Sequence, residues 1–465
     1  MNEQQQHRQI LIVLFMGVFM AALDSAVVAP AIPALRAAFG VGNSQISLVT
    51  IVFVLFTLSS TPLMASLSDR YSRRPVYLIN VLIFAFGSFL IGVAPQFELV
   101  LVGRALQGIG GGGITPVASA VVGDVFAVEE RGKVLGLIGA TFGIAFLLGP
   151  LVASLIMMVA SWHWIFFINL PLAAVILVMG FRVLPKHTPK VEHPPFDTLG
   201  MVLIFLLLSS LTLGINRVVD VMTGRQVWWW LVGFAVLALP LLLLQERRAA
   251  DPIIPLSLFR NQQLRVTYLL ALGAGFGMSS VIFISSVAVE AFQMKAQQAG
   301  LLLIPLVLGS TVASMVSGQY LNQFGSRVMM LIGFGALVLG CGLLGVFASS
   351  MVFFIIATVL IGLGVGIVVG GTLRYIVLNE VKPAERAAAQ GIINIGSGVG
   401  TLLVVAILGA VADSQGGGLA GLALAYQVAA FIMLTMFLLS FALKGPQQER
   451  VGLGVSMEVR EARAD

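Results

Sequence analysis

The sequence predicts an all-α integral membrane protein with fourteen transmembrane helices. Its 465 residues are 58% hydrophobic and only 10% charged, and the mean hydropathy is +1.02, as in membrane proteins. Long apolar runs recur along the chain, and each can cross a hydrocarbon layer of about 30 Å at about 20 residues per helix. No segment alternates like a transmembrane barrel strand, so the predicted spans are helical.

The predicted spans follow a six plus two plus six arrangement. Their approximate ranges are 10–35, 45–67, 75–94, 98–120, 133–158, 163–184, 198–217, 228–245, 265–292, 298–320, 327–348, 352–375, 386–412 and 422–443. The first run is too long for a signal-peptide core, so we expect it to remain as a helix. The predicted parts are an N-terminal six-helix bundle (1–190), two inserted helices (191–250), a C-terminal six-helix bundle (251–445) and a cytoplasmic tail (446–465).

The distribution of lysine and arginine predicts that both termini are cytoplasmic. With the N-terminus inside, twenty basic residues fall on the cytoplasmic side, and the opposite side has only Arg36, Arg217, Arg225 and Lys295. An excess of basic residues marks cytoplasmic loops. The net charge of +6 is spread among loops and therefore does not indicate nucleic-acid binding. Cys341 is the only cysteine, which excludes an intrachain disulfide and a thiolate metal site.

A short polar loop between the second and third spans has a degraded copy later in the chain. The loop contains Asp69, Arg70, Arg73 and Arg74. Between the tenth and eleventh spans, Asn322 aligns with Asp69, Gly325 with Ser72 and Arg327 with Arg74. At nearly the same offset, Gly108, Gly110 and Gly112 align with Gly362, Gly364 and Gly366. Two matches at nearly the same offset predict an internal duplication of a membrane unit.

The first loop resembles the G-x-x-x-D-R-x-G-R-R signature of the major facilitator superfamily, although Ala65 and Ser72 replace two glycines. A positive φ at Ser72 would strain a serine. The resemblance extends from about residue 10 to 443 and implies the major facilitator fold, in which two six-helix bundles rock about a central cavity. It implies a conformational gate at the cytoplasmic loops, formed by Asp69, Arg70, Arg73, Arg74, Arg131, Asn322 and Arg327.

Two partners are open for Asp69 in this gate. Arg131, in the cytoplasmic loop after the fourth span, could pair with its carboxylate. Asp69 could also cap the positive N-terminal end of the thirteenth span.

Asp24 lies within the first span, roughly 20 Å from its cytoplasmic end at 1.5 Å per residue. An unpaired carboxylate there is costly, so it must face water, pair, or take up a proton. Its segment resembles the L-D-x-T-x-x-N-x-A-L-P signature of fourteen-helix drug:proton antiporters, with Ala26 and Ala29 in place of Thr and Asn. Asp24 is therefore either a proton- and substrate-binding group or a buried acid paired for packing specificity.

Arg104 lies in the fourth span, about 10 Å from its outer end. Its segment resembles the R-x-x-Q-G motif of the same family, in which the arginine is linked to proton transfer. The alternative is an arginine that extends to the outer interface. The following Gly108, Gly110 and Gly112 are expected to allow close helix packing.

Three weaker features complete the site prediction. Gly149 and Pro150 resemble part of the family's G-x-x-x-G-P-x-x-G-G antiporter motif, and the alternative is a packing kink. Glu290, near the outer end of the ninth span, is either a second proton or cation group or a solvated acid. The runs 161–171, 196–200 and 255–261 also resemble segments of the fourteen-helix branch, and we assign them no chemistry.

The resemblance implies a proton-coupled antiporter that exports lipophilic, including cationic, drug-like compounds from a cell with a bacterial-type inner (plasma) membrane. Asp24 would alternate between proton and substrate, with Arg104 favouring its carboxylate form in one state. Two alternatives stay open at this point. The protein could be a facilitator that imports or exchanges a specific small metabolite, or a membrane sensor or scaffold without transport activity.

The sequence contains no Walker loop, metal-ligand cluster or nucleophile triad, so ATP-driven transport and covalent catalysis are not supported. We expect no enzyme activity, no cofactor and no metal. The expected partners are a small-molecule substrate, protons and membrane lipid, with no nucleic acid, and we expect a monomer.

Overall fold

The structure is a computed structural model that describes residues 3–41, 43–46, 48–185, 197–216, 227–250, 252–294, 301–414 and 418–452. Arg217, Arg225 and Lys295, which were predicted on the outer side, lie outside the described residues. So do residue 196 of one family-like run and the tail after residue 452.

The described chain is helical, because helices satisfy backbone N–H and C=O groups internally where hydrocarbon offers no partner. The α-helices are α1 Glu3–Phe39, α2 Asn43–Ile46, α3 Leu48–Arg70, α4 Arg73–Gly92, α5 Phe97–Val125, α6 Val128–Val159, α7 His163–Phe167, α8 Asn169–Val183, α9 Thr198–Asn216, α10 Val227–Arg248, α11 Gln262–Phe292, α12 Ile304–Phe347, α13 Met351–Ile367, α14 Leu373–Glu380, α15 Arg386–Ser414, α16 Gly418–Ser440 and α17 Pro446–Gly452. Two 3₁₀ turns cover Leu256–Arg260 and Pro383–Glu385, and a π-helical turn covers Val368–Thr372. With no strand in the described ranges, the predicted all-α class is confirmed.

Ten helical segments among the described residues are long and apolar enough to cross a membrane. Each of the fourteen predicted ranges overlaps a helix, and the tenth and eleventh both fall in α12. A straight helix of the 44 residues of α12 would be about 66 Å long, roughly twice the hydrocarbon thickness. The number of crossings stays a prediction.

The chain forms two compact units. The first comprises residues 1–125, 141–258 and 382–406, and the second comprises residues 126–140, 259–381 and 407–465. These units group segments by packing, and α6 and α15 each pass from one unit to the other along the chain. The predicted division into two bundles, two inserted helices and a tail therefore stays a prediction.

The first unit packs α5 closely against two neighbours through glycines. A methyl group added at Gly108 would lie 2.6 Å from the Phe53 carbonyl oxygen of α3, and one at Gly112 would lie 2.5 Å from that of Thr57. Gly110 faces α4 instead, where an added methyl group would lie 2.6 Å from the Phe84 nitrogen. These three glycines therefore occupy the packing positions predicted for them.

In the second unit, successive glycines of the motif likewise face two different helix segments in turn. Gly362 and Gly366 of α13 pack against the backbone of Leu306 and Ser310, in the first half of α12. Gly364 packs against Gly333, in the second half of α12, where an added methyl group would lie 2.7 Å from the carbonyl oxygen. The glycines that align in sequence thus make equivalent helix contacts, as expected for an internal duplication.

The two copies of the polar loop differ in backbone conformation. Ser72, between α3 and α4, has φ 166 and ψ 150, which is extended backbone open to any residue. The strain that a left-handed backbone would impose on Ser72 therefore does not arise here. Gly325, its counterpart, has φ 77 and ψ 162 and produces a kink inside α12. Only glycine adopts this conformation readily, so Gly325 is the copy with a steric requirement.

The two helices of the predicted insertion pack in the first unit. An apolar cluster joins Ile204 and Leu208 of α9 to Leu242 of α10 and Leu58 of α3. At one end of this pair, the Asp197 carboxylate accepts hydrogen bonds of 2.8 Å from the Gly200 N–H and the Gln245 side chain.

Glu246 lies just beyond the predicted span 228–245 and is only 4% exposed. Its carboxylate accepts a hydrogen bond of 3.1 Å from the Ile254 N–H. The pKa of Glu246 is raised from 4.5 to about 7, mainly because the group is buried; the Asp197 charge contributes to the rise, and the backbone N–H groups of Ile254 and Ile253 oppose it. Below about pH 7 the folded protein therefore keeps most of a proton on Glu246 that the unfolded chain, with the ordinary pKa of 4.5, has released.

This raised pKa predicts a pH-dependent stability. The contribution of the Glu246 proton is complete below about pH 4.5 and is lost as the pH rises to about 7 and above. We expect the temperature of half-unfolding in detergent to decrease as the pH is raised from about 5 to about 8. The decrease should be smaller for Glu246→Gln, because its side chain stays neutral. Glu98→Gln, at an exposed acid of α5, is the matched control. Equal falls for the wild type and Glu246→Gln would contradict the assignment.

Candidate functional site

The candidate site is built around Asp24, which α1 places among buried apolar residues. Asp24 is 0% exposed, and its neighbours Leu23, Val27 and Val28 belong to an apolar cluster. Position 24 is therefore not open to solvent in this structure. A carboxylate at such a position requires a counterion, hydrogen bonds or a proton.

Arg104 of α5 supplies the counterion. Its Nη1 atom donates to Asp24 Oδ2 at 2.7 Å, and its Nε atom donates to the Val49 carbonyl oxygen at 3.0 Å. The guanidinium carbon also lies 4.1 Å from the centre of the Phe53 ring. Arg104 is 1% exposed, so its side chain is buried in this structure and does not extend to the outer interface, which was the alternative.

Three neutral side chains complete the network around Asp24. Gln107 Nε2 and Asn169 Nδ2 each donate to Asp24 Oδ1 at 2.8 Å. Both amides also donate to the Ser88 hydroxyl, at 2.8 Å from Gln107 and 3.2 Å from Asn169. Gln107 Oε1 in turn accepts a hydrogen bond of 2.8 Å from Arg104. The network therefore joins α1, α4, α5 and α8, and α3 contributes a carbonyl oxygen.

These partners were missed as site residues by the sequence analysis. Gln107 belongs to the R-x-x-Q-G motif, and its position three residues after Arg104 puts both on one helix face, which is a usable signal. Asn169 was treated as part of a fold marker without chemistry. An amide inside an apolar helix was the only available sign of its role, and for Ser88 no sign was available.

Close helix packing supports this network from two sides. A methyl group added at Gly87 of α4 would lie 2.7 Å from the backbone nitrogen of Gln107, so glycine lets α4 approach α5 at the level of the network. Gly149 of α6 packs against Ala26 of α1, two residues from Asp24. Gly149 and Pro150 both lie within the continuous helix α6, and the predicted antiporter role of this motif stays a prediction.

A second polar cluster lies at the loop between α3 and α4. Asp69 forms an ion pair with Arg73. The same carboxylate accepts hydrogen bonds from the Ala387 N–H at 3.2 Å and the Ala388 N–H at 2.8 Å, at the start of α15. The prediction that Asp69 caps the thirteenth predicted span is therefore confirmed, and the anion lies where the helix N-terminus is positive.

Arg73 and Asp124 extend this cluster. Arg73 donates to Asp124 Oδ2 at 3.0 Å and to the Pro383 carbonyl oxygen at 2.8 Å. Arg386, at the start of α15, donates to Asp124 Oδ1 at 2.6 Å. Asp124 and Arg386 were not among the predicted gate residues, yet they bridge the end of α5 to the start of α15.

The other predicted gate residues make different contacts. Arg74 hydrogen-bonds to the Phe181 carbonyl oxygen, and its guanidinium carbon lies 4.5 Å from the Phe181 ring centre. Arg131, which the sequence suggested as a partner of Asp69, donates to Asn379 Oδ1 at 3.0 Å. Arg70 lies near the ring of Tyr71, its neighbour in the chain.

In the degraded copy of the loop, Asn322 accepts a hydrogen bond of 2.8 Å from the Tyr375 hydroxyl. Arg327 lies 5.6 Å from the ring centre of Phe441. The structure thus brings Asp69 and Arg73 into one cluster, and the remaining predicted gate residues serve other contacts.

Glu290 is exposed near the end of α11, which fits the alternative of a solvated acid. No group of three or more His, Cys, Asp or Glu side chains suited to a metal ion occurs among the described residues.

Comparison with known proteins identifies the family. The model of the Major Facilitator Superfamily matches residues 14–283 and 267–457. The chain belongs to the major facilitator superfamily. It is similar to the Uncharacterized MFS-type transporter YfiU of Bacillus subtilis (strain 168), with 30% identity over 419 residues that cover 88% of this chain and 79% of the relative. It is also similar to Multidrug resistance protein 3 of Bacillus subtilis (strain 168), with 30% identity over 416 residues, 88% of this chain and 80% of the relative.

The major facilitator fold is also supported by solved structures. The crystal structure of the human organic anion transporter MFSD10 (TETRAN) matches with a TM-score of 0.70 and 18% identity, over 93% of this chain and 99% of that chain. As a major facilitator, the protein is a multi-pass membrane transporter of small molecules, and the prediction that it is not an enzyme is confirmed.

The buried ion pair predicts a non-additive response to charge removal. Asp24→Asn leaves Arg104 without its counterion, and Arg104→Gln leaves a buried carboxylate, so each should lose about 3–5 kcal/mol of unfolding free energy. The double variant contains no uncompensated charge and should lose less than the sum of the two single losses. Urea unfolding in detergent micelles measures the free energy of unfolding of the wild type, the two single variants and the double variant. Strictly additive losses would show that the two charges are energetically independent.

Proposed function

We propose that this major facilitator is a proton-coupled antiporter that exports lipophilic compounds, cations among them, from a cell with a bacterial-type inner membrane. The observation that carries the proposal is the fully buried Asp24–Arg104 pair. Fourteen transmembrane helices and cytoplasmic termini belong to the same proposal. The name of the similar Multidrug resistance protein 3 supports export as the direction.

The coupling step follows from the charges around Asp24. In the paired arrangement, three donors share the two oxygens of the Asp24 carboxylate. A proton added to Asp24 removes the attraction to Arg104 and frees the arginine to move. In the reverse step, a substrate cation takes the place of Arg104 beside Asp24 and favours release of the proton from Asp24. Asp24 thereby carries either a proton or a cationic partner through the cycle.

Asn169 is suited to hold Asp24 in both protonation states. Its Nδ2 atom donates to the carboxylate, and its Oδ1 atom is buried without a hydrogen-bond partner in the described part of the chain. An unsatisfied buried acceptor is costly, and the O–H group of a protonated Asp24 would satisfy it. Rotation of one amide therefore accommodates both states.

A single proton provides enough free energy for this export. Movement down a 100 mV potential releases about 2.3 kcal/mol, and one pH unit adds about 1.4 kcal/mol. The sum sustains a concentration ratio of roughly several hundred across the membrane for a neutral substrate, because each 1.4 kcal/mol corresponds to a factor of ten.

The Asp69 cluster is proposed as the cytoplasmic gate. Its contacts join the loop after α3 to the N-terminus of α15 through a carboxylate, two backbone N–H groups and Arg73. These contacts must break before the cytoplasmic side opens. Hydrogen bonds to a charged group contribute about 1.5–3 kcal/mol, which is sufficient to bias a two-state equilibrium.

The coupling role of Asp24 is tested in proteoliposomes with an imposed pH gradient and a fluorescent lipophilic cation. We expect gradient-driven movement in the wild type and the signal of empty liposomes for Asp24→Asn, because the variant cannot exchange a proton. Ser25→Ala, next to Asp24 at an exposed position, should transport normally and is the matched control. Transport by Asp24→Asn with the full pH dependence of the wild type would exclude Asp24 as the coupling group.

The gate predicts a population shift for Asp69→Asn. Loss of the charge weakens the contacts with Arg73 and with α15, so the inward-open population should rise by about tenfold. Maleimide labelling of reporter cysteines on each side of the cavity, in a Cys341→Ser background, measures the two populations. Glu130→Gln, at an exposed acid in the first turn of α6, is the control. Unchanged labelling in Asp69→Asn would contradict the gate.

Two alternative functions predict different experimental results. A facilitator that imports or exchanges a specific metabolite would produce accumulation in cells instead of depletion. A sensor or scaffold would tolerate neutral residues at positions 24 and 104 without any transport phenotype. No movement of the cation in the wild type would direct the search toward anionic or sugar-like substrates, for which Arg104 is the more important charge.

A further inference from the structure

A groove with a volume of about 490 Å³ lies on the surface of the first unit, between α4 and α8. Leu78, Ile79 and Leu82 of α4 form one wall, and Leu177, Val178 and Phe181 of α8 form the other. Four of these six side chains are widely exposed: Ile79 is 49%, Leu82 is 55%, Val178 is 55% and Phe181 is 67% exposed. The groove is therefore an open, almost entirely apolar surface feature.

Both helices belong to segments that are long and apolar enough to cross a membrane, so the groove faces lipid acyl chains. An apolar groove in that environment accepts hydrocarbon but does not by itself distinguish one lipid from another. Selectivity has to come from a polar group at the end of the groove.

Arg182 is that polar group. It lies in the last turn of α8, lines the groove, and has an exposed side chain. Arg74, in the first turn of α4, lies at the same end of the helix pair. Arg74 is buried and holds Phe181 through a hydrogen bond to its carbonyl oxygen and through its ring. One arginine therefore fixes the groove wall, and the other is available for an anionic headgroup.

The spacing matches a phospholipid. Leu82 is eight residues along α4 from Arg74, or about 12 Å, so the groove begins at the level of the basic end and runs into the apolar part of the helices. A lipid with its phosphate at the basic end would lay the first part of an acyl chain along this wall. Guanidinium groups bind phosphate oxygens in a bidentate manner, and each basic side chain near a surface attracts anionic lipid by about 1 kcal/mol.

We propose that the groove between α4 and α8 is a binding site for an anionic phospholipid, with one acyl chain against Ile79, Leu82 and Val178 and the headgroup phosphate on Arg182. The site is separate from the Asp24 network and does not depend on the proposed transport activity. Its ligand is a structural lipid of the surrounding bilayer.

Native mass spectrometry of the detergent-purified full chain tests the site, with phosphatidylglycerol and phosphatidylcholine of identical acyl chains as probes. We expect the wild type to bind phosphatidylglycerol about fivefold more tightly, which corresponds to 1 kcal/mol. Arg182→Gln should abolish this preference by weakening phosphatidylglycerol binding more than phosphatidylcholine binding, because both headgroups carry a phosphate but the choline cation offsets its charge. Ile79→Trp, which fills the groove, should weaken the binding of both lipids.

Two control variants separate the site from general effects. Arg36→Gln removes an exposed arginine of α1, and Leu339→Trp adds an indole at an exposed position of α12. Neither should change lipid binding. Equal affinity of the wild type for the two lipids, an unchanged preference in Arg182→Gln, or unchanged binding in Ile79→Trp would each overturn the proposal. Because no transport is measured, failure of this test leaves the proposed function untouched, and the converse holds.

Discussion

A carboxylate buried between transmembrane helices persists only with a counterion and a full set of hydrogen bonds, and this requirement organises the first unit. Asp24 meets it with Arg104 at 2.7 Å and two amide donors at 2.8 Å. Its direct partners come from α5 and α8, Ser88 of α4 accepts hydrogen bonds from both amides, and α3 supplies the carbonyl oxygen that holds Arg104 in place. The close packing of α4 on α5 at Gly87 is therefore a condition for the site as well as a feature of the fold.

The two polar clusters are built from different parts of helices. The Asp24 network uses side chains from within α1, α4 and α5 together with Asn169 at the start of α8, and it is closed to solvent. The Asp69 cluster uses helix ends, where backbone N–H groups have no intrahelical acceptor, and its Asp124 side chain is 22% exposed. Solvent therefore reaches the edge of the Asp69 cluster at Asp124, whereas the Asp69 and Arg73 side chains at its centre are only 9% and 8% exposed. In the proposed cycle, the first cluster takes up and releases a proton, and the second breaks when the cytoplasmic side opens.

Much of the architecture could be predicted from the sequence, because apolar length and glycine spacing are local signals. Asp24 and Arg104 were found because each is a charge in an apolar run, which is costly and therefore conspicuous. Asn169 and Ser88 are neutral, so their sequence carries no comparable signal, and only the folded chain brings them to Asp24. The Asp69 cap was one of two alternatives that the sequence left open for this residue, but the contributions of Asp124 and Arg386 depend on where distant helix ends meet.

The extended backbone at Ser72 bears on how a family signature should be written. Because φ 166 is accessible to any L-amino acid, glycine at this position is not a steric necessity in the first loop. Its counterpart Gly325, with φ 77, does require glycine. A search pattern that demands glycine in both copies would reject chains of this kind for a reason that applies to only one of them. Patterns that treat the two repeats separately would recover such divergent members.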